Sequence, residues 1–358
     1  MRQDLRPIRQ DEDDVHPAPP GAAGRVGRLP WNWDRRRIGR LFGVGLSVAL
    51  FGLSLVVLAR VVARLNLSDL RAAVAATSAE QIVGAALLTA VSYLALTGYD
   101  ALAMRQLRLR VPYRVTAFGS FASYAISFTL GFPLITGGTV RYWIYSRAGL
   151  SAGKVATVTA IAGFTFWIGM AAVVSASLVF AAEDLGDIDL LGPTLNRGLG
   201  VGIAAMIAGY LFWVGQARRR IKVQGYKLEL PGAAATLGQM ALGITDLCAA
   251  AAVLYVLLPE GVRLDFLGFL GIYVFATMLG IASHAPGGIG VFEATMIRSI
   301  SGASEERVLA ALLLFRIIYY LAPFVLALAL LGADEIVRRW TVLREAMDRG
   351  AHDEEDGP

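Results

Sequence analysis

Apolar residues in this chain come in long blocks rather than short alternating runs. The blocks fall at roughly 41–63, 80–104, 115–132, 155–182, 198–216, 233–258, 266–283 and 305–331. A bilayer core of about 30 Å needs about 20 helical residues, so most of these blocks are long enough to span it. Their Gly- and Ala-rich make-up leaves no period of two of the kind barrel strands carry, which predicts helices.

The polar connections assign sides. Segment 105–114 carries Arg105, Arg108, Arg110 and Arg114, and segment 217–227 carries Arg218, Arg219, Arg220, Lys222 and Lys227. Positive loops stay cytoplasmic, as do an Arg-rich leader and a C-terminal segment with Arg338, Arg339 and Arg344. Segment 183–197 opposes Glu183, Asp184, Asp187 and Asp189 to a single Arg197 and reads as external. These sides require 115–150 to enter from the cytoplasm and return to it, and 266–300 to enter from outside and return outside. Gly131-Phe132-Pro133 with Gly137-Gly138 breaks the first hairpin, and Pro286-Gly287-Gly288 with Gly290 breaks the second. Proline removes a backbone donor and glycine permits non-helical angles, so both points interrupt helix.

The expected fold is an all-α polytopic membrane protein of about six full crossings plus two re-entrant, broken hairpins, arranged as an inverted repeat. Residues 1–37 read as a disordered cytoplasmic tail, 38–335 as the transmembrane domain and 336–358 as a second cytoplasmic tail. Repeat one covers about 80–182 and repeat two about 233–331.

Composition sharpens this picture. Of 358 residues 56% are hydrophobic and 17% charged, with a mean hydropathy of +0.57, whereas soluble domains hold roughly 45–50% apolar and 25% charged residues. The net charge of +5 sits at the edges of apolar blocks, so it argues for membrane orientation and no nucleic-acid partner is expected. The lone Cys248 and three histidines offer no disulfide framework and no metal centre, and no cofactor is expected. The first apolar block begins behind a long polar leader, unlike a signal peptide.

Two constellations carry candidate chemistry. In the first, Thr139 is read as the N-cap of the returning half-helix, so that the Gly137 and Gly138 amides and Arg141 face an anion, with Arg147 further on. The alternative makes Arg141 a structural ion-pair partner. In the second, Glu293 lies in the first turn after Gly287-Gly288, placed to pair with Arg141 or Arg316 or to hold a cationic headgroup. His284 titrates near neutral pH or serves as a hydrogen-bonded core residue. Asp246 and Arg316 fall near mid-helix and form an intramembrane charge network, either as a pair or facing a cavity. Asp100 sits near a helix end, where it is expected to snorkel. Tyr142, Trp143, Tyr145, Trp167, Tyr319 and Tyr320 read as interface anchors or packing. Neither G-x-S-x-G, a Walker loop nor H-E-x-x-H occurs, so no catalytic residues are assigned.

The run Gly131-Phe132-Pro133-Leu134-Ile135-Thr136-Gly137-Gly138-Thr139-Val140-Arg141-Tyr142, with Tyr145 to Ser151 and Pro286 to Glu293, resembles the membrane region of lysylphosphatidylglycerol synthase/flippase, also called the multiple peptide resistance factor. The resemblance covers roughly 40–335. It implies a lipid translocator of the bacterial inner membrane, both termini cytoplasmic, moving an anionic or aminoacylated phospholipid such as lysylphosphatidylglycerol. Full-length members of that family add a soluble domain that transfers an amino acid from aminoacyl-tRNA. This chain runs to Pro358 soon after its last helix, so it is expected to be no enzyme, with a separately encoded transferase as a candidate partner beside the membrane lipids. Two rivals stand: a membrane subunit of an aminoacyl-phospholipid synthase, and a proton-coupled small-solute transporter relaying through His284, Asp246 and Glu293.

Overall fold

Ser78 opens the first described helix. Its hydroxyl accepts from the Gln81 amide (3.2 Å), and Gln81 Oε1 accepts in return from the Ser78 amide (3.0 Å), a reciprocal closure of two otherwise unpaired donors. The computed structural model describes residues 75 and 77–355 apart from 132, 190, 217–219, 224–225, 230, 263 and 284–285. The expected tail 1–37 and the apolar block 41–63 lie outside the described residues, and so does His284.

From Ser78 the order is α1 (Ala79–Gln106), α2 (Tyr113–Leu130), α3 (Pro133–Tyr145), α4 (Ala152–Phe180), α5 (Ala182–Asp189) and α6 (Pro193–Gln216). A β-ribbon follows, β1 (Arg220–Val223) antiparallel to β2 (Tyr226–Glu229), with Arg220 opposite Glu229. The second half holds α7 (Ala233–Leu257), α8 (Phe266–Ala282), a 3₁₀ turn at Pro286–Gly288, α9 (Val291–Ser299), α10 (Glu305–Phe315), a π-helical turn at Arg316–Leu321 and α11 (Ala322–Glu355). Among the described residues five helical stretches are long and apolar enough to cross a membrane: α1, α4, α6, α7 and the rod Glu305–Trp340. The ribbon is a small departure from an all-α chain. Residues 220–223 and 226–229 alternate polar and apolar in sequence, a period of two that favours strands and that reading the segment only for its charge overlooks.

The centre is α1, α4 and α7. Gln81 Nε2 donates to the Val256 carbonyl (2.8 Å), tying the start of α1 to the end of α7, so the two run antiparallel. At the α4–α7 crossing Gly169 faces Gly243, and a Cβ built on Gly169 would lie 2.5 Å from the Gly243 Cα. Two backbones meet there with no side chain between them, the small-residue contact that membrane helices use in place of a hydrophobic drive. α1 buries Leu96, Tyr99 and Ala103 and exposes Val83, Leu87, Val91 and Leu94. An apolar outer stripe on a helix with a packed inner face suits lipid outside and protein inside.

Each break falls in a hairpin. Tyr145, ending α3, places its hydroxyl 3.0 Å from the Thr116 carbonyl near the start of α2, so the pair begins and ends at one level. In the second half, a Cβ on Gly261, before α8, would lie 3.2 Å from the Gly302 carbonyl oxygen, after α9. That hairpin too closes on itself.

Candidate functional site

Three charged clusters lie inside the bundle. In the first, Asp100 of α1 is fully buried and takes both prongs of Arg141, Nε to Oδ2 and Nη2 to Oδ1, each at 2.9 Å. The Tyr145 hydroxyl donates to Oδ2 at 2.5 Å, and the guanidinium carbon lies 4.6 Å from the Tyr124 ring centre. A bidentate pair with its remaining lone pairs satisfied is the form in which two charges tolerate removal from water. The helix backbones make room for it: a Cβ on Gly137 would lie 3.2 Å from Arg141 Nη1. Asp100 therefore does not snorkel; a positive group within reach holds it inside. Arg141 has the structural pairing that the sequence left as its alternative.

The expected cap at Thr139 is also corrected. α3 starts at Pro133, because proline's fixed φ suits the first helical position and its missing N–H loses nothing there. Thr139 is thus well inside the helix, its hydroxyl donating to the Ile135 carbonyl at 2.7 Å, and the amides of Gly137 and Gly138 lie inside the helix rather than at an open end. Arg147, beyond α3, pairs with Asp334 at 2.8 Å and Glu335 at 3.4 Å on α11 and lies 4.2 Å from the Trp143 ring centre. Partial burial, then Arg338, pulls its pKa down while the two carboxylates oppose; it stays a cation in any case.

The second cluster surrounds Asp246 of α7. Its Oδ1 accepts from Ser92 Oγ at 2.5 Å and its Oδ2 from the Tyr99 hydroxyl at 3.0 Å, while Ser92 Oγ also lies 2.9 Å from the Tyr319 hydroxyl. The expected Asp246–Arg316 pair does not form: hydroxyls, not a guanidinium, meet this carboxyl. Ser92 and Tyr99 were missed, yet their spacing of seven on α1 places them on one face together with Leu96, and that polar stripe in an apolar helix was the available signal.

Arg316 belongs to the third cluster. Its Nε donates to Glu293 Oε1 at 2.7 Å and its Nη1 to the Gly287 carbonyl at 2.6 Å, with the guanidinium carbon 4.7 Å from the Tyr320 ring centre. Glu293 Oε2 accepts from the Gly290 amide at 2.7 Å, closing the first turn of α9. Of the two partners the sequence offered Glu293, Arg316 is the one it takes. Arg316 itself opens the π-helical turn, a local widening of the kind found at functional positions.

The two breaks meet here. Gly287 and Gly288 hold φ of +62° and +65°, a left-handed backbone that glycine adopts freely. A Cβ on Gly287 would stand 3.3 Å from the Phe128 carbonyl oxygen and 3.4 Å from Arg316 Nη1. The 286–288 turn therefore rests on the last turn of α2, just before Gly131, where the Phe128 ring stacks 6.4 Å from that of Tyr319. Of the aromatics read as anchors or packing, Tyr145 beside Asp100 and Tyr319 at the breaks are buried and pack, whereas Trp167 and Tyr142 are exposed. Among the described residues no three of His, Cys, Asp and Glu gather as a metal site.

The sequence has recognisable relatives among known proteins. The sequence profile of a family described as the lysylphosphatidylglycerol synthase TM region matches residues 41–327. The chain belongs to that family. Lysylphosphatidylglycerol synthase TM-region relatives include an uncharacterised protein of Synechocystis sp., 36% identical over 259 residues, which are 72% of this chain and 80% of that protein. The inner membrane protein YbhN of Escherichia coli is 33% identical over 246 residues, 67% of this chain and 76% of its own length. A phosphatidylglycerol lysyltransferase of Staphylococcus epidermidis is 41% identical over 85 residues, 23% of this chain but 10% of the enzyme. The chain is a multi-pass membrane protein with bacterial relatives, and its likeness to the lysyltransferases is confined to their membrane region.

Proposed function

We propose that this protein moves a phospholipid between leaflets, an anionic or aminoacylated one such as lysylphosphatidylglycerol. The contact between the two helix breaks carries this reading: the 286–288 turn packs on the end of α2 beside Arg316. With the block 41–63 as a sixth crossing, the α2–α3 and α8–α9 hairpins enter from opposite faces as re-entrant elements of an inverted repeat. The Arg147–Asp334 contact supports one common face for the start of α4 and the C-terminal helix, assigned to the cytoplasm by their arginines.

Arg316 is the cation the breaks share. Glu293 and the Gly287 carbonyl hold it. A headgroup phosphate arriving at the junction competes with Glu293 for the guanidinium, and Glu293 recaptures it once the lipid leaves. Arg141, already engaged by Asp100, positions α3 and does not meet the lipid. Rocking of one repeat against the other exposes the junction to each leaflet in turn.

The test is translocation of fluorescent phosphatidylglycerol in liposomes carrying the purified protein. Arg316→Ala and Glu293→Gln are expected to slow it at least tenfold, in line with losing one charged hydrogen bond. Both variants transporting at the wild-type rate while keeping the wild-type unfolding midpoint overturns the assignment.

A second reading rests on the partial likeness to phosphatidylglycerol lysyltransferases: a membrane subunit working with a separately encoded transferase. Lipid profiling of a deletion strain separates the two. Loss of an aminoacylated lipid points to synthesis, and a normal amount confined to the inner leaflet points to transport.

A further inference from the structure

The end of α1 and the start of α7 form a second polar site, away from the helix breaks. α1 closes with the Arg108 amide donating to the Arg105 carbonyl (3.1 Å) and the Leu109 amide to the Met104 carbonyl (2.9 Å). That closure needs a left-handed residue and normally takes glycine. Here it holds Arg108 at φ +54°, so an arginine side chain is carried where the backbone would prefer none.

Facing it, α7 begins at Gly232 without any side-chain cap. Its first-turn residues Ala233, Ala234 and Ala235 line a cavity of about 540 Å³ together with Arg105 and Arg108. Uncapped first-turn amides and the helix dipole favour an anion. Gln239, one turn further along, lines the same cavity. Its side chain is 1% exposed, and neither its amide nitrogen nor its amide oxygen has a hydrogen-bond partner. A buried amide left without partners in the chain is strongly disfavoured, and Gln239 is therefore able to bind a polar group that enters the cavity. Arg105 makes no ion pair with a described residue. A second cavity of about 580 Å³ shares Leu102 and Arg105 with the first and continues between α1 and α7 past Leu109, Val111 and Leu242. The two cavities thus adjoin at Leu102 and Arg105.

We propose that this groove binds a phosphate-bearing lipid, its phosphate on the Ala233–Ala235 amides and the Arg105 and Arg108 guanidinia, its headgroup hydroxyl or ester oxygen on Gln239, and one acyl chain in the adjoining cavity. The proposal rests on the chain being a membrane protein and not on translocation through the breaks.

The experiment uses the purified full chain in detergent, titrated with phosphatidylglycerol, with diacylglycerol as the phosphate-free control and glycerol 3-phosphate as the tail-free one. Phosphatidylglycerol is expected to bind at least tenfold more tightly than either. Arg105→Ala and Gln239→Leu each weaken it about tenfold, the loss of one charged or otherwise unmade hydrogen bond. Arg108→Gly weakens it as well yet raises the unfolding midpoint, because glycine relieves the left-handed backbone; a merely structural arginine would not split the two readouts in that way. The part of the binding that Arg105→Ala removes persists in Arg316→Ala, so the site and the transport reading fail separately. Equal binding of glycerol 3-phosphate overturns the lipid and leaves a soluble phosphate site. Wild-type affinity in all three groove variants overturns the site itself.

Discussion

Asp100 and Asp246 are both buried carboxyls on neighbouring helices, but one faces a guanidinium and the other two hydroxyls. Their replacement should differ accordingly. Arg141→Met alone strands a buried carboxylate and is expected to lower stability by about 3–5 kcal/mol, while Asp100→Leu combined with Arg141→Met recovers most of it, since an apolar pair of similar volume tolerates the interior. Thermal unfolding of the single and double variants in detergent checks this; a double variant no better than Arg141→Met would mean the pair is not the source of the loss. Tyr99→Phe removes one hydrogen bond from Asp246 and should lower stability by about 1–3 kcal/mol, read in the same assay. The pairing of these side chains was not legible beforehand. Asp100, Arg141, Glu293 and Arg316 stand out in the sequence as charges inside apolar blocks, but partner choice depends on helix rotation and on which hairpin faces which. Spacing along one helix does not supply either.

Among the elements, α4 and α7 depend on the Gly169–Gly243 crossing. Gly243→Val should force the backbones apart and lower stability by roughly 1–3 kcal/mol or more, whereas Gly163→Ala, with nothing within 4 Å of its Cβ, should be neutral or raise stability by about 0.5–1 kcal/mol. Unfolding midpoints of the two variants test the contrast, and equal loss from both would deny the crossing its role. Helix positions were largely readable from the blocks, because long apolar runs without alternation have few other outcomes. The block 233–258 becomes α7 at Ala233–Leu257, and 266–283 becomes α8 at Phe266–Ala282. The start of α3 was misplaced by seven residues, at Val140 behind a cap at Thr139 where it is Pro133, since glycines looked like breakers although proline had already set the helix going. The π-helical turn at Arg316–Leu321 has no marker in sequence, its residues being ordinary helix formers and aromatics.

Across the molecule, α4 is 29 residues long, about 43 Å at 1.5 Å per residue, which exceeds the bilayer core. Lys154 in its first turn and Glu183 just beyond its end should lie on opposite faces. Cysteines placed at these two positions in a Cys248→Ala background should label with an impermeant maleimide from opposite sides of oriented vesicles. Trp340→Cys should label from the same side as Lys154→Cys, because Arg147 joins the start of α4 to Asp334. Labelling of Lys154→Cys and Glu183→Cys from one side would dismantle the crossing and the face assignment with it.

Arg316 has one further consequence. Its guanidinium is fastened at once to Glu293 on α9 and to the Gly287 carbonyl, while its own backbone belongs to the rod that runs on to Trp340. Rod and turn are therefore coupled like a crank and its pin: a slide or twist of the long helix pulls on the glycine bend through this side chain, with the stacked Phe292 and Phe315 rings as a second tie.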